Sequence, residues 1–531
     1  MSETGQGKTG RQQRRWRVLA ATAAPLARLA LAALLVLQAG VASAQNKNQG
    51  SWRFWFGPLS GQRDASDAVT VSSHYKQLFT TANWTNTRAR TDYFLFYIDD
   101  LQSFSAQELQ NIVTFLRNNN VKIAVEVGGL RPTFREVGCG AGAGTRLANL
   151  YELQKLRPIY QAGGTISLLK LDSPNYFHVL GCGSTPPAQV GDELANYITA
   201  IWEGLDRNIR FAWNEPLPFY SLVDGATTYP SNAGLPHLGE FSNIFGTIIG
   251  RLRTRLGNAD NLLLFKPDQP FEYCESLGAD RLGYKKLVSS QKLIKSYGIR
   301  FSLLVMSDPT VSVPGYPSYG NNASMTAQQK AAEFYRRSMN LWHHYFAVGG
   351  NPDDVMAQDF HVVPDPVSLT HPETTPYTYA NFALELSTRV RDMLNPVDYN
   401  TLRFYRSLSP STGDHGLAFQ RLQSHNYLPA SYGIETPLFK AFQSSSSAGG
   451  ITVPLYVCEL GTEEFVSTLA NCEGQTVISS TPVGYVRGYQ GANEVPVNRC
   501  LITGVGEHFM STSPTCEGQT REATLGYAPL P

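Results

Sequence analysis

From Trp52 to about Asn400, short apolar runs alternate with longer stretches in which apolar residues return every three or four positions. The first pattern reads as strands and the second as one face of a helix. The strands so predicted are RFWFG (53–57), YFLFYID (93–99), KIAVEVG (122–128), TISLLKLD (165–172), RFAWNE (210–215), LLLFKPD (262–268), RFSLLVMSD (300–308) and VMAQDFHVV (355–363). Two intervening segments open on capping boxes, Ser105-Ala-Gln-Glu108 and Thr326-Ala-Gln-Gln329, which satisfy the first backbone donors of a helix. Eight strand-then-helix units over about 350 residues predict an α/β fold, a (β/α)8 TIM barrel spanning residues 45–400. The count rests on RFWFG, because without it every later strand number drops by one.

Beyond Thr401 the helical period stops and Tyr, Gly, Thr and Ser dominate. Here the chain repeats itself: PLYVCELGTEEFVSTLANCEGQTVISSTPVGYV (454–486) is echoed by PVNRCLITGVGEHFMSTSPTCEGQTREATLGYA (496–528), and a degenerate copy without cysteines occupies 404–439. One such copy cannot bury its own apolar face, so three copies predict an all-β, β-trefoil-like domain over 401–531. The run SSSSAGG (444–450) offers another boundary, but 451 onward would hold only two copies. The tail copies resemble a repeat common in exported bacterial proteins, of the shape L-Y-x-C, then G-x-x-H-F-x-S-T, then C-E-G. The third copy matches it at Gly504 to Thr512. Cysteines 14 and 16 residues apart within the later copies make Cys458–Cys472 and Cys500–Cys516 the expected bridges.

The first 44 residues change the picture of where the chain works. Arg11, Arg14, Arg15 and Arg17 precede an apolar run from Leu29 to Leu37 and a small-residue site at Ala42-Ser43-Ala44, the layout of a secretory signal peptide over 1–44. Removing its six basic residues and one acidic residue leaves 38 Lys and Arg against 42 Asp and Glu, a balance of −4 that argues against a nucleic-acid partner. No later run is apolar enough to span a bilayer. Seven cysteines in an exported chain predict disulfides with one thiol left over, Cys274, and loops after adjacent strands bring Cys139 to Cys182.

Barrel enzymes place their reactive groups where strands end. Those ends carry Asp99, Asp100, Glu126, Asp172, Asn214, Glu215, Asp268, Asp308, Asp359 and His361. The run Trp213-Asn214-Glu215-Pro216 resembles the N-E-P motif of a large clan of retaining glycoside hydrolases built on this barrel. The resemblance implies that Asn214 holds the sugar 2-hydroxyl and Glu215 protonates the leaving oxygen. That clan puts its nucleophilic Glu three strands later, where this chain offers Asp359, one methylene shorter.

A rival set uses neighbouring strands: Glu126 alternates with the small residues Ala124 and Gly128, and Lys170 and Asp172 share a face on the next strand. The order I-x-V-E-V-G-G, then A-G-G-x-I-x-x-L-x-L-D-x-P, then N-E-P also resembles an uncharacterised group of secreted bacterial barrels. The expected catalytic set is Glu215, Asp359, Glu126 and Asp172, with Asn214, Trp213, Lys170, Asp268, His361, Tyr176 and Tyr220 binding substrate; Phe177, Phe219, Tyr316 and Tyr319 are further stacking candidates. Together these predict a secreted, monomeric glycoside hydrolase acting on a polysaccharide or glycan, without metal or cofactor, carrying a sugar-binding repeat domain. Two alternatives stand beside it: a non-catalytic carbohydrate- or surface-binding barrel, and a Schiff-base lyase or aldolase using Lys266.

Overall fold

The structure is a computed structural model that describes residues 52–530 apart from segments at 59–60, 64–68, 72, 81–82, 131–137, 222–237, 258–261, 278–281, 359–371, 395–400, 409–414, 420–432, 448–449, 462 and 492. Eight parallel strands close into a cylinder: β1 (Arg53–Gly57), β2 (Tyr93–Tyr97), β3 (Lys122–Val127), β4 (Ile166–Leu171), β5 (Arg210–Glu215), β6 (Leu262–Pro267), β7 (Arg300–Val305) and β8 (Asp354–Gln358). RFWFG is the closing strand, paired on one side with β8 through Arg53↔Asp354 and on the other with β2 through Trp55↔Tyr93. Each strand is followed by a helix: α1 (Thr85–Arg90), α2 (Ala106–Asn118), α3 (Leu153–Gln161), α4 (Pro187–Gly204), α5 (Phe241–Leu256), α6 (Leu282–Ser296), α7 (Ala327–Ala347) and α8 (Tyr379–Leu394). Both capping boxes form, Ser105 with Glu108 and Thr326 with Gln329. This is the (β/α)8 architecture that the strand pattern predicts.

Alternation along the strands sorts residues between the barrel interior and the helix layer. Trp213 stacks on Phe245 of α5 at 5.0 Å and Phe211 meets Trp202 of α4 at 6.0 Å, so the odd positions of β5 face the helices. The even positions Ala212 and Asn214 therefore face inward. At the lower end of the interior Asp354 is fully buried and accepts from Arg53 Nε (2.6 Å), Trp55 Nε1 (2.9 Å) and Arg300 Nε (3.0 Å), joining three strands around one carboxylate.

The C-terminal portion is a mostly antiparallel sheet domain whose ten strands are β9 (Thr401–Leu408), β10 (His415–Phe419), β11 (Gly433–Phe442), β12 (Thr452–Leu460), β13 (Glu463–Ser467), β14 (Thr476–Val477), β15 (Gly484–Arg487), β16 (Glu494–Ile502), β17 (Glu507–Ser511) and β18 (Thr520–Pro529). Each sequence copy is built alike, a long strand flanked by its hairpin partner and a return strand: β9 between β10 and β11, β12 between β13 and β14–β15, β16 between β17 and β18. Pairing fixes equivalence across copies. Ser407↔Gly416, Cys458↔Phe465 and Cys500↔Phe509 are the same register position, one step from Leu408↔His415, Glu459↔Glu464 and Leu501↔His508.

The repeat motif acquires a physical meaning in this frame. The C-E-G run turns through consecutive left-handed residues, with Cys472, Glu473 and Gly474 at φ 51°, 58° and 89°; glycine ends it because left-handed backbone costs glycine nothing. The turn aims Glu473 at Ser467 of its own copy (2.8 Å) and at Arg499 of the next (2.7 Å); Glu517 likewise accepts from Ser511 (2.7 Å) and from Arg406 (2.7 Å). Glu463 accepts from His508 Nδ1 at 2.8 Å and Glu507 from His415. The motif's Glu, His, Ser and Arg positions thus stitch one copy to its neighbour. The bridges Cys458–Cys472, Cys500–Cys516 and Cys139–Cys182 form as expected, and Cys274 is a buried free thiol.

The two portions meet through Tyr405 of β9. His343 of α7 packs on its ring at 5.5 Å, Arg389 of α8 lies 5.5 Å from the ring centre, and Arg389 Nη1 is 3.0 Å from His343 Nε2. Burial and the neighbouring Arg389 charge push His343 well below its ordinary pKa, so it stays neutral in this contact.

The stitching makes a prediction. Arg499 bonds Glu473 and Glu522 and covers the Phe465 ring at 5.3 Å. Arg499→Ala should lower stability by about 1–3 kcal/mol in chemical denaturation, whereas the exposed Arg521→Ala should change it by less than about 0.5 kcal/mol. Equal effects of the two changes would remove the clamp from the account.

Candidate active site

The upper interior of the barrel is polar because five strands each contribute one polar side chain to a shared hydrogen-bonded layer. Glu126 of β3 accepts from Lys170 of β4 and, at 2.7 Å, from Gln358 Nε2 of β8; Gln358 Oε1 in turn accepts from Lys266 of β6 at 3.0 Å, and Gln358 Nε2 also reaches Tyr97 OH at 3.0 Å. Bonds between strands that are not neighbours can only cross the interior, so these side chains all point inward. Lys170, Lys266 and Gln358 are fully buried. The small side chains of Ala124 and Ala212, also fully buried, leave the long lysines their space. Lys170 pairs with Glu126 of the neighbouring strand.

Above this layer lie the rim acids. Asp172 and Asp268, partly buried at the ends of β4 and β6, line a cleft with Glu126, Tyr97, Tyr176, Phe177, Phe219, Tyr273, Met306 and Asp308. It measures about 1120 Å³ including its open mouth. Asn214 Nδ2 donates to Asp172 Oδ1 at 3.2 Å from the interior side.

The electrostatics divide the acids into two kinds. Burial pushes Glu126 up, but Lys170 and Lys266 with the bonds from Lys170 and Gln358 more than offset it, and the carboxylate stays below its ordinary range. Asp172 is raised, first by burial and then by the charge on Glu126. Asp268 is raised by burial. Burial and the neighbouring Lys170 push Lys266 well below the usual lysine range. One cleft thus holds an ionised glutamate beside aspartates that keep their protons further up the pH scale.

Glu215, expected as the proton donor, is placed elsewhere. It shares the helix-facing side of β5 with Phe211 and Trp213, is fully buried, and does not line the cleft. Its Oε1 accepts from Asn175 N (2.7 Å) and Trp213 Nε1 (2.8 Å), its Oε2 from Tyr220 OH (2.6 Å) and Tyr176 N (3.3 Å). Those amides belong to the first turn of the helix Pro174–Cys182, so Glu215 satisfies donors that an unaided helix start leaves orphaned. Trp213 and Tyr220, expected to bind substrate, are likewise buried ligands of this carboxyl. Tyr319 is also withdrawn, bonded to Ser307 at 2.8 Å, and Tyr316 packs edge-on against Phe271. Asp359 and His361 lie outside the described residues.

The seat that Glu215 provides matters to the cleft all the same. The helix it anchors carries Tyr176 and Phe177, and Tyr176 stacks on Phe219 at 4.8 Å with ring planes 19° apart. Cys182 closes the same helix through its bridge to Cys139, in the loop after β3. Two further buried acids, missed in the sequence, support the rim. Glu272 accepts from Ser307 Oγ (2.5 Å), Asp308 N (2.7 Å) and Arg337 (3.1 Å), fixing the loop that carries Asp308. Glu152, at the end of a single π-helical turn (Ala148–Glu152), accepts from Tyr197 and from the amides of Gly128 and Gly129 just past Glu126. Neither sits at a strand end, so only the apolar helix faces around them signalled burial. Among the described residues no group of His, Cys, Asp and Glu is placed to hold a metal ion.

No protein-family model matches the chain, and no curated protein matches it. Solved structures similar to it include a chain from a structure described as that of two fungal β-1,4-galactanases (8% identity, 62% of this chain and 99% of that one, TM-score 0.36). Others are D-psicose 3-epimerase with D-tagatose from Clostridium cellulolyticum H10 (7%, 64% and 99%, 0.34) and apo endo-β-N-acetylglucosaminidase from Cordyceps militaris (10%, 65% and 94%, 0.32). The barrel assignment rests on the strand pairing above.

Two buried carboxyls set a pH dependence of stability. Burial pushes Glu152 up to about 8 and Glu215 up to about 7, the donors around each pulling the other way. Both folded values exceed the unfolded one near about 4.5, so their contribution is fully present below that pH and is lost as pH rises through 7 and 8. The thermal midpoint should fall between pH 5 and pH 8.5, and Glu152→Gln should flatten that fall; an unchanged slope in the variant would contradict the assignment.

Proposed function

We propose that the barrel mouth hydrolyses glycosidic bonds in an extracellular polysaccharide or glycan, with Asp172 as proton donor, Glu126 as the ionised partner and Asp268 binding the sugar. The observation that carries this reading is the split among acids opening on one cleft: Glu126 held ionised by Lys170, Asp172 and Asp268 raised. Cleaving a glycosidic bond needs one carboxylic acid to protonate the leaving oxygen and one carboxylate to meet the oxocarbenium-like centre or activate water. Both bonds to Glu126 use Oε2, which makes Oε1 the oxygen for the sugar or the water. The Tyr176–Phe219 stack offers an apolar plane to a sugar ring. Disulfides on the rim and in the repeats fit an oxidising compartment, in line with the export signal read from residues 1–44. The repeat domain, read as a trefoil-like sugar-binding module, would hold the barrel on its polymer and raise local substrate concentration.

A second reading draws on Lys266, whose burial lowers its pKa well below the usual lysine range and so favours the free amine that can attack a carbonyl. Borohydride with a keto sugar would then trap a covalent adduct on the wild-type chain and none on Lys266→Met.

The hydrolase reading is tested by incubating the mature chain with a polysaccharide panel and measuring released reducing ends. Asp172→Asn and Glu126→Gln should each reduce release by about 100-fold or more, while Glu215→Gln should change it less than about tenfold and act on the thermal midpoint instead. Undiminished release by Asp172→Asn removes the mechanism. Polymer binding without release by any chain favours a binding barrel.

A further inference from the structure

The described walls of the barrel cleft are rich in hydrogen-bond acceptors and poor in donors. Four carboxyls line it, Glu126, Asp172, Asp268 and Asp308, and no described Lys, Arg, His, Asn or Gln does. Two of the four keep acceptor capacity that the described protein leaves unused. Glu126 is only 8% exposed, and both of its hydrogen bonds, from Lys170 and Gln358, fall on Oε2, so Oε1 is left for the cleft. The Asp268 carboxyl accepts no hydrogen bond from any described residue. Ser173 already donates its hydroxyl to Asp172 at 3.2 Å, so the remaining side-chain donors of these walls are the hydroxyls of Tyr97, Tyr176 and Tyr273.

Charge points the same way. Lys170 and Lys266 lie in the layer beneath, fully buried and bonded to Glu126 and to Gln358. Lys170 offsets Glu126. With Asp172 protonated as the donor of the proposed reaction, Asp268 and Asp308 remain as acids on the cleft, against Lys266, whose burial favours its neutral form. A uronate, sulfate or phosphate would bring more acceptors to walls that already lack donors. An ammonium brings three donors, no acceptor, and the charge that strengthens each bond to a carboxylate. At about 1120 Å³ including its mouth the cleft has the size of a ligand site, and Tyr176 stacked on Phe219 supplies an apolar plane for a sugar ring. We propose that the cleft selects a glycan built from hexosamines with free amines, one ammonium of the sugar donating to the Asp268 carboxylate. The proposal rests on the hydrolase reading of the same cleft and deepens it, naming the substrate class and making Asp268 the residue that sets specificity.

The test is calorimetric titration of the full mature chain with α- and β-linked hexosamine oligomers, each in a free-amine and a fully N-acetylated form, together with reducing-end release from the same oligomers. The free-amine form should bind at least about tenfold tighter than its N-acetylated twin. Asp268→Asn should erase that difference by weakening the free-amine form, and Asp268→Glu, which keeps the charge, should retain most of it. Should Asp268→Asn fail to fold, the wild-type comparison still decides. Equal affinities, tighter binding of the N-acetylated form, or a preference that survives Asp268→Asn overturns the proposal. Release from neutral polysaccharides without any hexosamine binding overturns it too and leaves the hydrolase reading standing. Free-amine binding without release from any polymer supports the ammonium site and sinks the hydrolysis; no binding and no release sinks both.

Discussion

The ion pair between Lys170 and Glu126 is the constraint around which the barrel mouth is organised. Taking both charges out of water costs several kcal/mol each, and the arrangement survives only because Gln358 supplies a further bond and the strands hold the partners in contact. Removing Lys170 would strip Glu126 of its bonded cation and leave Lys266 to offset the buried charge. Ala124 and Ala212 are small for the same reason: two lysines and a glutamate cannot share one layer of the interior with bulky neighbours. The pair also fixes the charge that the rim feels, since the carboxylate of Glu126 raises Asp172 above it.

Strand β5 shows how one stretch of chain serves two purposes through its pleat. Asn214 turns inward to Asp172, while Glu215, one residue on, turns outward and seats the helix that carries Tyr176 and Phe177. The aromatic wall of the cleft therefore depends on a carboxyl that never touches the cleft. Glu272 does the same work for the loop bearing Asp308, and Glu152 for the glycines after Glu126. The mouth is framed by buried acids whose hydrogen bonds are all directed at backbone or fixed side chains, which keeps the exposed acids in place.

The barrel was legible because eight apolar runs and the helices between them follow simple periods, and the bridges because loops after adjacent strands and short cysteine spacings leave few partners. The repeats were legible as three copies, although their stitching was not, since it joins residues between 26 and 111 positions apart. The site was only half legible. Glu126, Lys170, Asp172, Asp268 and Tyr176 gather as read, but the N-E-P resemblance outweighed the alternation that Phe211, Trp213 and Glu215 themselves display. Two large aromatics at alternate positions marked the helix-facing side, and Glu215 continues it. Gln358 went unnoticed because an uncharged residue at a strand end carries no signal until its neighbours across the interior are known.

The chemistry of the mouth rests on the division of protons between Glu126 and Asp172, and infrared difference spectroscopy of the carboxyl stretch, wild type minus variant over a pH titration, measures it most directly. The predicted result is that the carboxyl missing from Asp172→Asn titrates above the ordinary aspartate range and the one missing from Glu126→Gln below the ordinary glutamate range, the signals of Glu152 and Glu215 cancelling in each difference. The reverse order, with the carboxyl missing from Glu126→Gln holding its proton to higher pH than the one missing from Asp172→Asn, would mean that the lysine does not hold the glutamate ionised, and the chemistry assigned to the mouth would be contradicted.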